Sequence, residues 1–361
     1  MMAGVAPPTI RLADDDGVPQ DAKLRERLMP SIAVVGFGRI GRVTVRTGLT
    51  GGWFTPSVIV DVAAPESMAP LFEVDSNYGR WPDAVRAEAG ALVIGDAEIT
   101  WIDARTETAD WKALGVDLVL DCTGRATTRA GAQAHLDAGA QRVLVSAPSK
   151  TLDDCDAVLL PGINLQDYDP AKHHIVSMAS CTTNALAPVV KVLRETVGIR
   201  DGFFTTVHAF TNTQSLTDQP MRERRDSWAA TENVIPSSSG AAKALKFIWP
   251  DLQVTGKAYR VPVRTGSIVE LTARVNRGTS AAEINDAFIA AAGDGPLAGI
   301  VGVLREEWAS SRIVGETHSS VIDLPLTSVS DGDLVTVAAW YDNEYGYATR
   351  LAETVAALAH D

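Results

Sequence analysis

The sequence predicts an α/β protein of two domains, and three observations carry that prediction. Its 361 residues exceed the usual span of a single domain, about 100 to 200 residues. Short β-branched runs alternate with helix-period segments through the first half, the pattern of parallel strands joined by crossover helices. A glycine turn, Gly36-Phe37-Gly38-Arg39-Ile40-Gly41, separates the first such strand from the first such helix.

Residues 1–29 mix Pro, Asp and isolated apolar residues and read as a mobile extension, without the apolar core of a signal peptide or the Arg/Ser-rich, acid-poor composition of a transit peptide. Ser31–Val35 is apolar and β-branched, and Arg42–Leu49 has a helical pattern, so the order is strand, glycine turn, helix. In that arrangement Gly36 permits the tight turn, Gly38 lets the backbone approach a pyrophosphate and Gly41 lets helix and strand pack closely. The pyrophosphate would sit on the helix N-terminus, over the N–H groups of Arg39 and Ile40. A glycine pattern alone is also compatible with a tight turn that binds nothing. A second run, Ser57–Val60, ends in Asp61, 20 residues beyond Gly41. That is the spacing of a ribose-binding carboxylate, which accepts from both hydroxyls and repels a 2′-phosphate, pointing to NAD rather than NADP. Val116–Leu120 and Arg142–Val145 read as further parallel strands emptying into one crevice, before Asp121-Cys122-Thr123-Gly124 and Ser146-Ala147-Pro148, with a helix over 128–138 between them. Nothing near Cys122 would stabilise a thiolate, so it reads as packing.

Ile175–Ser177 forms another strand signal, followed by Met178-Ala179-Ser180-Cys181-Thr182-Thr183-Asn184 and the apolar-periodic stretch 185–197. Cys181 would then lie at the start of a helix, where free N–H groups and the positive helix end favour thiolate over thiol. A strand over 204–209 carries His208, 27 residues downstream. The spacing admits two readings, a nucleophile and its base or a satisfied core histidine.

Composition narrows the classes. With 46% hydrophobic and 21% charged residues the chain has material for a large core and is unlike a disordered sequence. A net charge of −13 disfavours nucleic acid and anionic membranes as primary partners, so any anionic ligand must be small and held by local donors. No run approaches the roughly 18 apolar residues of a membrane span. Three scattered cysteines, Cys122, Cys155 and Cys181, make neither a disulfide framework nor a zinc site, and no histidine pair has ligand spacing with them. A cytoplasmic, metal-free protein is expected.

Five segments, Ser180-Cys181-Thr182-Thr183-Asn184, Thr205-Thr206-Val207-His208-Ala209, Gly240-Ala241-Ala242-Lys243-Ala244, Arg260-Val261-Pro262 and Trp340-Tyr341-Asp342-Asn343-Glu344, occur in the order found in phosphorylating glyceraldehyde-3-phosphate dehydrogenases. The chain resembles that family from Pro30 to Leu358. The resemblance implies a Rossmann NAD-binding domain over 30–180, completed by a C-terminal helix within 344–361, and an α+β catalytic domain over 181–343. It implies a homotetramer that oxidises D-glyceraldehyde 3-phosphate to 1,3-bisphosphoglycerate with NAD and inorganic phosphate. Carried over by position, Cys181 resembles the nucleophile and His208 its base, while Gly36, Gly38, Arg39, Ile40, Gly41, Asp61, Thr123, Ser146 and Asn343 resemble the cofactor site. Thr211, Thr213 and Arg260 resemble the substrate-phosphate site; Ser180, Thr182, Arg225, Ser239 and Gly240 suit the attacking phosphate. Pro220 resembles the residue of NAD-preferring members, where a neighbouring chain closes over the adenosine.

The chain departs from the family pattern at Val60, Arg125, Met178, Trp228 and Arg264. None removes a catalytic atom, but the departures leave two alternatives: a paralogue oxidising another phosphorylated aldehyde such as erythrose 4-phosphate, with water as second nucleophile, or a non-catalytic NAD-binding regulatory protein.

Overall fold

The computed structural model describes residues 30–359, so the extension expected over 1–29 lies outside the described residues. A nine-stranded sheet is built from β1 (Ile32–Val35), β2 (Val58–Asp61), β3 (Val85–Glu88), β4 (Ala91–Ile94), β5 (Ala97–Asp103), β6 (Leu118–Asp121), β7 (Arg142–Val145), β8 (Ala157–Val158) and β9 (Ile175–Ser177). Its order is β8-β9-β7-β6-β1-β2-β5-β4-β3. All neighbours are parallel except β3–β4 and β4–β5, a short antiparallel extension at one edge. The chain leaves β1 for β2 on one side and returns to β6 on the other, so β1 and β6 flank the switch in strand order. Such a switch opens a crevice at the carboxyl ends of the strands.

Helix α1 (Arg39–Gly51) begins three residues earlier than the apolar pattern indicates, because Gly38 takes an extended conformation as its N-cap and Arg39 and Ile40 already turn with it. Helices α2 (Pro65–Glu73), α3 (Trp111–Leu114) and α4 (Arg129–Asp137) follow; α4 starts on a Thr128 side-chain cap, as its sequence suggests.

From β9 the chain passes through three residues into α5 (Cys181–Thr196), whose Thr182–Val190 stretch is buried. Helix α5 lies on a second sheet made of β10 (Ile199–Ala209), β11 (Ile235–Ser237), β12 (Val254–Val261), β13 (Ser267–Val275), β14 (Val301–Leu304), β15 (Ser320–Asp323), β16 (Ser328–Ser330) and β17 (Leu334–Tyr341), with α6 (Ala241–Ile248) and α7 (Ala281–Gly293). The order is β11-β12-β10-β13-β17-β15-β14, with β16 on β17. Strand alternation decides what faces α5: on β10, Phe204, Thr206 and His208 point to the helices and are buried, while Phe203 and Val207 point away and are exposed. Helix α8 (Tyr345–Ala359) then returns to pack on α1 and also meets α5.

Candidate active site

The crevice beside β1 has the shape that a dinucleotide requires. Gly36 has φ +88°, a conformation costly for other residues, and it abuts the Cys122–Thr123 backbone at the end of β6. A Cβ on Gly41 would fall 2.2 Å from the Gly36 carbonyl oxygen, whereas one on Gly38 would meet nothing within 4 Å. The turn is thus closed where helix meets strand and open at the helix N-terminus. Asp61 is tied to it directly: one carboxylate oxygen accepts from the Phe37 N–H at 2.6 Å and the other from the Ala63 N–H at 2.8 Å. Each oxygen keeps a free lone pair for a ribose hydroxyl. Asp121, buried at the end of β6, accepts from the Thr123 N–H and hydroxyl at 2.9 and 2.7 Å, and its carbonyl accepts from the Ser146 N–H. Arg39 differs from expectation. Its guanidinium is committed to Asp75 and Glu344, leaving only its backbone N–H and that of Ile40 for a pyrophosphate.

Across the crevice Asn343 is 5% exposed. Its side-chain oxygen accepts from Ser267 at 2.8 Å and Thr265 at 3.3 Å, an arrangement that assigns the amide orientation and leaves Nδ2–H as the free end. A primary amide donor suits a carboxamide oxygen. Thr265 also donates to Asp342, which receives the Tyr78 hydroxyl at 2.9 Å, so the Asn343 mount connects through Tyr78 and Glu344 to Arg39 at the opposite wall.

The chemical centre lies where α5 begins. Ser180 caps the helix, its hydroxyl accepting from the Thr183 N–H at 3.1 Å, and Cys181 is the first helical residue. Just before the cap, Ala179 has φ +54°, a strained conformation for alanine, held by the buried Tyr347 hydroxyl of α8 donating to its carbonyl at 2.9 Å. Cys181 Sγ lies 3.4 Å from His208 Nε2. The strand histidine and the helix cysteine therefore meet. Behind them the buried Tyr341 hydroxyl bridges Thr182 at 3.0 Å and Thr206 at 2.8 Å, and its ring presents an edge geometry to His208.

Burial pushes the Cys181 thiol up, opposed by the Arg260 charge and by hydrogen bonds from Thr182. Burial and the Arg260 charge push the His208 imidazole down to about 3, against the pull of the Ala209 carbonyl. Desolvation thus opposes the helix terminus at Cys181 and disfavours the charged imidazole at His208. Cys122, by contrast, is pushed up to about 12 by burial, as befits a packing residue.

The anion-binding candidates separate into those the structure brings together and those it does not. Thr211 and Thr213 share a hydrogen bond at 2.9 Å, and Gln214 holds both. Arg260 reaches His208 itself, with Nη1 2.6 Å from Nδ1. Ser239 and Gly240 lead into α6, with Gly240 as its N-cap. The Ser180 and Thr182 hydroxyls are engaged in the cap and with Tyr341. Arg225 is exposed, on a cavity of about 380 Å³ formed with Trp228, Asn233 and Pro236. The neighbouring Asp226 turns inward, its carboxylate accepting from Gln214 at 3.1 Å.

Comparison with known proteins agrees with this geometry over almost the whole chain. Residues 30–129 match the NAD-binding domain model of glyceraldehyde 3-phosphate dehydrogenase, and residues 180–343 match the C-terminal domain model. The chain belongs to the glyceraldehyde-3-phosphate dehydrogenase family. It is 46% identical to glyceraldehyde-3-phosphate dehydrogenase of Kitasatospora aureofaciens over 336 residues, 92% of this chain and 99% of that one. It is 44% identical to glyceraldehyde-3-phosphate dehydrogenase 2 of Streptomyces arenae, over 89% of this chain and 96% of the relative. The enzyme of Geobacillus stearothermophilus is 40% identical over 91% and 98%.

As a member of this family the chain has a Rossmann domain and an α/β catalytic domain, and its departures find places in the fold. Met178 is buried, its thioether accepting from the Thr354 hydroxyl of α8 at 3.3 Å. Arg264 donates to the Ser76 carbonyl at 3.0 Å, joining the turn between β12 and β13 to the nucleotide half. Val60 is a buried strand residue, and Trp228 is half exposed. Nothing in the structure explains Arg125, whose side chain is exposed. Sequence reasoning missed Tyr341, Ser267, Thr265, Gln214 and Tyr78. Tyr341 stands inside the Trp340–Glu344 segment and could have been found there; the others carry no local signal.

Proposed function

We propose that the protein catalyses NAD-dependent, phosphorylating oxidation of D-glyceraldehyde 3-phosphate to 1,3-bisphosphoglycerate. The observation that carries this is the Cys181–His208 contact at a helix N-terminus. Gly38, Asp61 and Asn343 would hold NAD, which when bound supplies the hydride acceptor; the Asp61 carboxylate favours the cofactor without a 2′-phosphate. Cys181 gives its proton to His208 and its sulphur adds to the aldehyde carbon, moving the carbonyl electron pair to oxygen, which takes that proton from His208 to become a hydroxyl. His208 then takes the proton of the resulting hydroxyl as the carbon is oxidised, leaving a thioester on Cys181. Attack of a phosphate oxygen expels the sulphur, to which His208 returns a proton. Thr211, Thr213 and Arg260 supply donors for the substrate's phosphate, and Ser239 and Gly240 for the attacking one.

One observation favours the second reading, an aldehyde oxidation completed by water. The only nearby arginine proposed for the attacking phosphate, Arg225, lies on the outer cavity, and the adjacent Asp226 adds negative charge beside Gln214. Steady-state NADH formation with glyceraldehyde 3-phosphate and erythrose 4-phosphate, with and without phosphate, separates the readings. Strict phosphate dependence with glyceraldehyde 3-phosphate supports the main one; turnover unchanged by omitting phosphate sinks it. The same assay with NADP tests Asp61.

We further propose a homotetramer in the cytoplasm. Phe203 and Val207, 43% and 39% exposed on the uncovered face of the second sheet, support burial against another copy. The three cysteines are unpaired, and no described helix is long and apolar enough to cross a membrane. Light scattering of wild type and Phe203→Glu tests the assembly; a monomeric wild type would refute it.

A further inference from the structure

The loop after Asp61 carries no polar side chain of its own. Val62, Ala63 and Ala64 lead into α2, and Ala64 caps that helix without a side-chain bond. Both backbone polar groups of Ala63 are nevertheless held: its N–H donates to Asp61 at 2.8 Å, and its carbonyl oxygen accepts from Trp101 Nε1 at 3.1 Å. Trp101 is buried on β5, beside Ile59 of β2 and two residues before Asp103, the strand neighbour of Asp61. Its ring meets Phe37 edge-on, with centroids 5.6 Å apart and planes at 89°. Phe37 belongs to the glycine turn, is wholly buried and stacks on Phe72 of α2 at 5.9 Å, while its N–H donates to the second Asp61 oxygen at 2.6 Å. These contacts close a circuit: indole to Ala63, Ala63 to Asp61, Asp61 to Phe37, Phe37 to indole. The circuit joins the turn that would carry the pyrophosphate to the acid that would carry the ribose.

We propose that Trp101 is a positioning residue that makes the site selective for a dinucleotide without a 2′-phosphate, by locking the peptide of Ala63 and through it the Asp61 carboxylate. A 2′-phosphate needs the carboxylate moved aside and N–H or cationic donors in its place. With only the side chains of Val62, Ala63 and Ala64, the loop must find those donors in its backbone, and the Ala63 N–H is released only if that residue turns away from Asp61. Turning it tears the Ala63 carbonyl from the indole, whose single N–H then loses its acceptor. Phe37 backs the indole, so the ring cannot follow the loop. Arg105, the cation just past the end of β5, is already forked on Asp103 at 2.6 and 2.9 Å. Selectivity therefore rests on two residues, an acid that repels the extra phosphate and an indole that keeps the acid in place.

This proposal rests on the reading of Asp61 as the ribose ligand, and the test keeps the two apart. Binding of NAD and of NADP to the full chain is measured by calorimetry, with kcat at saturating NAD beside it. Trp101→Phe keeps a ring against Phe37 and removes the N–H. It should weaken NAD roughly fivefold to tenfold, the effect of losing one hydrogen bond, narrow the preference for NAD over NADP by about as much, and leave kcat at saturation within a factor of about two. In an Asp61→Ala background the same substitution should leave the preference where Asp61→Ala has put it, because the indole acts through the acid. Equal weakening of both dinucleotides in Trp101→Phe marks a merely structural role and overturns the lock alone, as does an unchanged preference there when Asp61→Ala has relaxed it. An Asp61→Ala protein as selective as wild type removes the ribose reading and the lock with it. Hydrogen exchange of the wild type needs no variant to fold: the Ala63 amide should be protected before any dinucleotide is added, and exchange at the rate of an open loop overturns the lock.

Discussion

The two halves of the site are built by different means. In the nucleotide half the backbone does most of the positioning: Gly36, Gly38 and Gly41 set the turn, and Asp61 is aimed by the Phe37 and Ala63 N–H groups. In the catalytic half side chains do it, and they compete. Cys181, His208, Arg260, Thr182 and Tyr341 come from four elements, and His208 Nδ1 has one more partner than it can satisfy. Backbone geometry tolerates no substitution but needs no partner, whereas a side-chain network can be tuned and can hold two states. A site that must bind one cofactor and then carry out several proton transfers uses the first for binding and the second for chemistry.

That contrast can be broken at its strongest point. Cys181→Ser should lower kcat by at least about 10⁴-fold, the nucleophile being lost, while NAD affinity stays within a factor of two or so, because no backbone of the nucleotide half changes. Undiminished oxidation in that variant would remove the nucleophile assignment. His208→Asn should cost roughly 10² to 10⁴ in kcat, the range of general acid–base catalysis, and leave the NAD titration unmoved. Gly41→Ala should do the reverse. Its Cβ would meet the Gly36 carbonyl at 2.2 Å, so urea unfolding should show a loss of about 2 kcal/mol or more, with weakened NAD binding. Unchanged stability would mean the turn is softer than its geometry implies. The smallest effect concerns pH. His208 sits at about 3 in the folded protein against an ordinary 6.5, so the unfolded chain alone takes up that proton between these values. Its contribution to stability is present above about pH 6.5 and lost as pH falls toward 3, and the acid limb of a stability profile should be shallower in His208→Asn.

The same contrast explains what could be read from the sequence. The nucleotide half was legible because its demands are local: a glycine that must be glycine leaves a mark in the sequence, and so does an acid 20 residues on. Cys181 was legible for a similar reason, since a polar cap followed by an apolar period marks a helix start. Arg39, Ser180, Thr182 and Arg225 stand out in the sequence as polar residues, but their partners were hidden. Asp75 and Glu344 claim Arg39 from far along the chain, Tyr341 claims Thr182, and the turn at Arg224–Ser227 sends Arg225 outward and Asp226 inward. Pairings of that range depend on the assembled fold and leave no periodic trace.

Tyr347 on α8 holds the strained carbonyl of Ala179, one residue before the helix cap, and Asn343 and Tyr341 come from the segment just ahead of it. The nucleophile is therefore made long before the residues that aim it. A ribosome-bound chain that has emerged as far as α7 carries the cysteine but neither the strap on its loop nor the amide that orients the cofactor. The surroundings of the thiol are therefore complete only once the last helix has docked.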